Sequence, residues 1–284
     1  MRAWLLVAAA LLAAGPAGAA GRLRIVSLAP SLTELAYAAG AGETLVGTVE
    51  YSDYPAAARA LPRVGDGWRV DIERVLALQP DLVLAWSSGT PQETITRLKS
   101  LNLRVVSIPT YRLADIPAAL RSIGRIAGTS GKASAAAARF ESEIGRLRAG
   151  HAGASSISVF IQIDDEPLYT VSSHHIISEV VELCGGRNVF AELPQLAPQV
   201  ALEAVLARQP QVILSTDDTI ADPRAYWQRW PRLAAVGAGT IYSMPSDTLT
   251  RATPRLVQGA QATCDALDDA RARFRAAGSA PVAP

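Results

Sequence analysis

A chain of 284 residues with 27 basic and 26 acidic side chains is long enough for two domains of ordinary size, roughly 100 to 200 residues each. Setting aside Arg2, which belongs to a leader, the charges balance at 26 against 26. That balance excludes the basic stripe of a nucleic-acid binder and a polybasic membrane-surface patch, and a neutral or amphipathic ligand fits at least as well as a charged one.

Residues 1–20 hold one charge, then an apolar run over 3–14, then Pro16 and the small residues Ala17, Gly18 and Ala19. This is the form of a cleavable secretory signal, and the run is shorter than the ~20 apolar residues of a membrane anchor. With no cysteine near the cleavage site to carry a lipid, the expectation is a soluble exported protein.

Residues 24–29 read as a strand, and Ser31 to Glu34 has capping-box spacing at the start of a helix that ends near Gly40. A strand over 45–49 leads to a loop holding Tyr51 and Tyr54, and a glycine-containing loop over 64–68 ends in Trp68. Residues 71–86 then read as a short helix, a turn and a buried strand ending in Trp86. Asp71 suits an N-cap, Glu73 adds charge to the first turn, and Pro80 stops the helix, pushing Gln79 toward extended geometry. The run from Leu82 to Ala85 lacks polar alternation, as in a parallel strand covered on both faces.

Residues 201–216 repeat this unit. Glu73, Val75, Leu76, Ala77, Gln79, Pro80 and Leu84 are answered by Glu203, Val205, Leu206, Ala207, Gln209, Pro210 and Leu214. Two copies predict two similar α/β lobes. Ligands of open parallel sheets sit beyond the carboxyl ends of the strands, so Trp86 and its counterpart Thr216 point to a cleft shared by the lobes.

Between the copies, a helix over 92–101, a strand over 104–108 and a helix over 113–128 continue the alternation. Residues 132–148 then run without proline, either as the connection between lobes or as one more covering helix. The second lobe shows a strand over 156–163, a loop over 164–169 and a helix over 175–184 stopped by Gly185-Gly186. After the repeat come the aromatic segment 226–231, a strand over 240–243, a loop over 245–251 and a final helix from Pro254. The predicted organisation is a signal over 1–20, an N-terminal lobe over 22–129, a connecting helix over 130–150, a C-terminal lobe over 155–275 and a disordered tail over 276–284. Cys184 and Cys264, an even pair in an exported chain, predict a disulfide, against the alternative of two buried thiols.

No catalytic signature is present: there is no Gly-x-Ser-x-Gly elbow, phosphate-cradling glycine loop or pair of histidines at metal-ligand spacing. The adjacent His174 and His175 diverge on any regular element, so a solvated helix start is expected of them rather than a metal or cobalt site. More telling is what gathers at predicted strand ends: Tyr51, Trp68, Trp86 and Tyr169, with Asp247 and Arg251. Flat aromatic walls with few charges suit a large amphipathic ligand. Each aromatic taken alone also fits ordinary packing, and Asp247 and Arg251 also fit a structural ion pair.

The stretches 25–34, 51–55, 72–86, 184–190 and 251–255 resemble the periplasmic cobalamin-binding proteins of bacterial cobalamin ABC importers, in the helical-backbone solute-binding family that also receives ferric siderophores and haem. The resemblance covers nearly the whole mature chain. It implies two α/β lobes bridged by one long rigid helix, little hinge closure, no cofactor or catalytic residue, and cobalamin or a related corrinoid as transported ligand. It also implies a free monomer. Tyr51, Trp86, Tyr169, Asp247 and Arg251 fall at cleft positions, as does Ser31. Glu73 and Glu203 match the carboxylates, one per lobe, that dock on arginines of the permease dimer, and Cys184 and Cys264 match the family disulfide. Two family tryptophans fall at Gly67 and Ala197, with Trp68 one place from the first, and a polar pocket residue falls at Thr250. A siderophore or haem receptor is the alternative ligand class, and a periplasmic hydrolase or chelatase using Asp247 with a histidine the alternative activity.

Overall fold

The structure, a computed structural model, describes residues 22–218 and 220–279; the expected signal lies outside them. In the first half the chain runs β1 (Ile25–Ser27), α1 (Pro30–Ala38), β2 (Leu45–Gly47), α2 (Ile72–Ala77), β3 (Leu82–Trp86), α3 (Gln92–Ser100), β4 (Val105–Ile108) and α4 (Asp115–Ile126). These strands form one parallel sheet in the order β2-β1-β3-β4. A single helix, α5 (Ser130–His151), follows.

The second half contains β5 (Ile157–Gln162), β6 (Asp164–Asp165), β7 (Leu168–Tyr169), α6 (Ile176–Leu183), β8 (Gly186–Asn188), α7 (Leu202–Arg208), β9 (Val212–Thr216), α8 (Pro223–Trp227), α9 (Ala234–Ala238), β10 (Ile241–Met244), α10 (Ser246–Leu249) and α11 (Leu256–Ser279). Its main sheet, also parallel, has the order β10-β9-β5-β8, and β6 and β7 make a small antiparallel hairpin. Two α/β lobes joined by a long helix are therefore present, as expected.

Helix α5 owes its place to one stripe. Ala133, Ala137, Phe140, Ile144 and Leu147 recur every three or four residues and are all buried, while the intervening positions are mostly exposed. The stripe joins a core that runs from Leu120 and Ile123 of α4 to Val180 and Leu183 of α6. A helix packed into both lobes acts as a common spine and not as a cover for the first sheet alone. The expected disulfide is present, joining Cys184 at the end of α6 to Cys264 within α11. Closing that 80-residue loop contributes about 4 to 5 kcal/mol in the chain-entropy model.

The repeated unit differs from its sequence reading at the turn. Gln79 and Gln209 both adopt φ 44°, in the left-handed region, and are not extended. A left-handed residue ends the helix outright and still avoids the clash that a following proline imposes on the right-handed region. The capping box is not formed either: α1 starts on Pro30 with Ala29 as N-cap, so Ser31 lies inside the helix and Glu34 is used elsewhere. Residues 246–249 of the expected loop form α10, which is too short to leave a periodic signal. Helix α11 takes in residues 276–279 of the expected tail, and residues 280–284 lie outside the described ones.

Candidate functional site

Residues at or just beyond the carboxyl ends of β1, β3 and β4 border a cavity of about 340 Å³ that residues of both lobes line. From the N-terminal lobe come Ser31, Trp86, Thr110 and Tyr111; from the C-terminal lobe come His175, Leu196, Thr250 and Arg251.

Trp86 is set by three contacts. Its backbone N–H donates to Thr90 Oγ1 at 2.9 Å, and its indole Nε1–H donates to Thr110 Oγ1, also at 2.9 Å. Its six-membered ring lies over Gly89, where a Cβ would come within 1.9 Å of Cε3. The indole therefore presents a fixed apolar face at the edge of β3.

Arg251 is the charged residue of the cavity wall, and its charge is already met. One guanidinium nitrogen lies 2.8 Å from Asp53 Oδ1, in the other lobe, and a second lies 2.8 Å from Asp247 Oδ1, one helical turn away. Burial alone would raise the Asp53 carboxyl, but the Arg251 hydrogen bond and charge outweigh it and hold it below the ordinary carboxylate range. Both sequence readings of Asp247 and Arg251 are thus combined: they pair, and Arg251 borders the cavity. Asp53 was missed because its partner lies almost two hundred positions along the chain.

Tyr51 and Trp68 do not border the cavity itself and are 73% and 71% exposed. Tyr51 has φ 61°, an uncommon left-handed conformation. It is held by its neighbour, since the buried Ser52 hydroxyl accepts from Thr48 Oγ1 at 2.8 Å and the Ser52 carbonyl accepts from Arg63. Trp68 sits on a tight loop whose backbone N–H donates to Asp66 Oδ1, as does that of Arg69; these bonds hold the Asp66 carboxyl below its ordinary range. Gly65 is required there, with φ 125° and space for no Cβ, which would come 2.0 Å from the Arg69 carbonyl oxygen. Tyr169, half-buried on β7, bridges to Gln199 and does not border the cavity. Of the two positions where the family tryptophans are missing, Ala197 has Leu196 beside it in the cavity wall.

His175 corrects the sequence reading. His174 is exposed, but His175 borders the cavity and caps α6, its Nδ1 accepting from Ile177 N–H at 3.2 Å. Burial pushes its pKa down to about 4, so the ring is neutral in ordinary conditions. An N-cap histidine leaves little sequence signal, because capping preferences favour Ser, Thr, Asp and Asn.

Two more charge pairs tie the lobes together outside the cavity. Arg255 meets Glu34 of α1 through two bonds of 2.8 Å and lies 4.1 Å over the Tyr54 ring. The Glu34 side chain is only 3% exposed, and its bond and charge raise the pKa of Arg255 further. On the other flank, Glu179 of α6 accepts from Arg112 Nε and from Leu113 N–H, each at 2.7 Å. Glu73 and Glu203 stand exposed in the first turns of α2 and α7, at matching places in the two lobes.

A family model described as periplasmic binding protein matches residues 25–248. The chain belongs to that family. Among its relatives, the vitamin B12-binding protein of Pectobacterium carotovorum subsp. carotovorum (strain PC1) is 41% identical over 250 residues, covering 86% of this chain and 88% of that one. The vitamin B12-binding protein of Vibrio cholerae serotype O1 (strain M66-2) is 37% identical over 245 residues, with the same coverage of each chain. Within the periplasmic binding proteins of known structure, the periplasmic vitamin B12-binding protein of Vibrio cholerae superposes with a TM-score of 0.82 at 36% identity, covering 87% of this chain and 97% of that one. The periplasmic heme-binding protein of Roseiflexus sp. RS-1 superposes at 0.79, but at 23% identity it shares the fold alone, covering 88% and 99%.

Proposed function

We propose that the chain is an exported solute-binding protein that captures cobalamin or a related corrinoid between its lobes and delivers it unchanged to an inner-membrane ABC importer. The observation that carries this reading is the state of Arg251. The one cation bordering the cavity among the described residues is already neutralised by Asp53 and Asp247, so those residues offer an anionic complex no free positive charge. A ferric siderophore of high negative charge needs several such groups. A fixed indole face, hydroxyls and a paired arginine instead suit a large ligand with an apolar body and uncharged polar edges. The kinship with proteins named for vitamin B12 supports the same choice.

In this reading Ser31, Trp86 and Arg251 form the floor. Tyr51, Trp68 and Tyr169 add aromatic surface around it, and Asp247 fixes Arg251. Glu73 and Glu203 meet a permease dimer, one per lobe, because a two-fold partner requires a repeated surface. The protein acts as a monomer in the periplasm after removal of the signal, and its cleft carries out no chemistry. The test is direct: the purified protein is mixed separately with cyanocobalamin, haem and a ferric siderophore, dialysed, and its visible spectrum recorded. Retention of the cyanocobalamin spectrum is expected. Colour retained only from haem or siderophore overturns the reading.

A further inference from the structure

At the cleft, the imidazole of His175 has one nitrogen engaged in capping and one left over. The His175 Nδ1 accepts the Ile177 N–H, and a nitrogen that accepts through its lone pair carries no proton. In the neutral ring the proton therefore sits on Nε2. Among the described residues Nε2 has no hydrogen-bond partner, and His175 borders the same cavity as Trp86, Thr110 and Tyr111 of the opposite lobe. The cap fixes the ring, and burial keeps it neutral down to a pH of about 4.

An oriented, uncharged N–H donor in a wall whose cation is already paired has a natural complement in a neutral acceptor. Corrinoids carry such acceptors as primary-amide carbonyls around the macrocycle. Resting on the functional reading above, we propose that His175 is a specificity-determining residue of this cleft, whose Nε2–H donates a hydrogen bond to an amide carbonyl on the edge of the bound corrinoid. A protonated Nε2 has no lone pair for a metal, so His175 recognises the periphery of the ligand and does not ligate cobalt.

Two measurements test this. Only three histidines are present in the chain, so imidazole nitrogen and proton resonances are readily assigned. In the wild-type protein, nitrogen-15 NMR is expected to show the Nε2–H tautomer at His175. Saturation with cyanocobalamin is expected to shift that proton downfield and slow its exchange with solvent, which a purely capping role would not do. His175→Asn keeps a good N-cap but withdraws the donor. It is expected to bind cyanocobalamin about three- to tenfold more weakly, the effect of one neutral hydrogen bond, with little change in melting temperature. A proton on Nδ1, an Nε2–H signal unmoved at saturation, or unchanged affinity in His175→Asn overturns the proposal while leaving the cobalamin reading standing. Failure of the wild-type protein to bind cyanocobalamin at all removes both.

Discussion

In the N-terminal lobe α2 turns through Gln79 and Pro80 into β3, which ends at Trp86 with its indole on the cavity. In the C-terminal lobe α7 turns through Gln209 and Pro210 into β9, which ends at Thr216, buried and 3% exposed. The turns match to the degree in φ, yet the strand ends do different work. That lobe supplies its cavity residues from elsewhere: His175 ahead of α6, Leu196 from a loop, and Thr250 and Arg251 after α10. The difference teaches that the repeat retains what faces outward and supports the sheet, whereas the residues bordering the cavity are supplied separately by each lobe.

The sharpest way to break this comparison is at its repeated surface. Glu73→Arg combined with Glu203→Arg is expected to abolish vitamin uptake in cells while leaving cyanocobalamin affinity unchanged, since both carboxylates are exposed and outside the cavity. Lost affinity in titration calorimetry would move them into the site.

Next in size is the tie between lobes. Arg255→Met strands a buried Glu34 carboxylate without its partner, and chemical denaturation is expected to show a loss of about 3 to 5 kcal/mol. A loss under 1 kcal/mol would mean that this pair contributes little to holding the lobes together.

A smaller effect tests the unrepeated strand end. Gly89→Ala places a methyl group against the Trp86 ring, at a position with no backbone objection to a side chain. Cyanocobalamin affinity is expected to fall about tenfold, or about 1.4 kcal/mol, with tryptophan fluorescence altered and the fold retained. Wild-type affinity in this variant would show that the indole face is not used.

The smallest prediction compares the two turns themselves. Gln79→Gly relieves a left-handed residue and is expected to raise stability by up to about 1 kcal/mol. Gln209→Gly relieves the same strain but also removes the bonds from Gln209 Nε2 to the Leu206 carbonyl and from Ala234 N–H to Gln209 Oε1, so little or no gain is expected. Equal shifts in melting temperature for the two variants would show that the side-chain bonds contribute nothing.

Local and periodic features were legible in the sequence. The repeat, the apolar strands and the proline-free stretch around 132–148 led to two α/β lobes and a joining helix; Trp86 and Arg251 stood out at predicted strand ends, Ser31 only through the family resemblance, and all three border the cavity. Strand order was not legible, because neighbours in a parallel sheet are chosen by packing across long separations. The same holds for Asp53 on Arg251 and Glu34 on Arg255, pairs that only folding brings together. His175 was read with His174 as a histidine pair, and what separates them is burial at the junction of the lobes, which no local pattern encodes.

Three charge pairs, Arg112 with Glu179, Arg251 with Asp53 and Arg255 with Glu34, cross from one lobe to the other. With these pairs on both flanks and the shared core along the spine, the lobes are tied at several points and not at one hinge. Such fastening would keep the exposed carboxylates of Glu73 and Glu203, one in each lobe, at one spacing. If a permease dimer meets those two carboxylates, as proposed, it would accept an empty carrier as readily as a full one, and surplus unloaded protein would then occupy the berth and slow delivery.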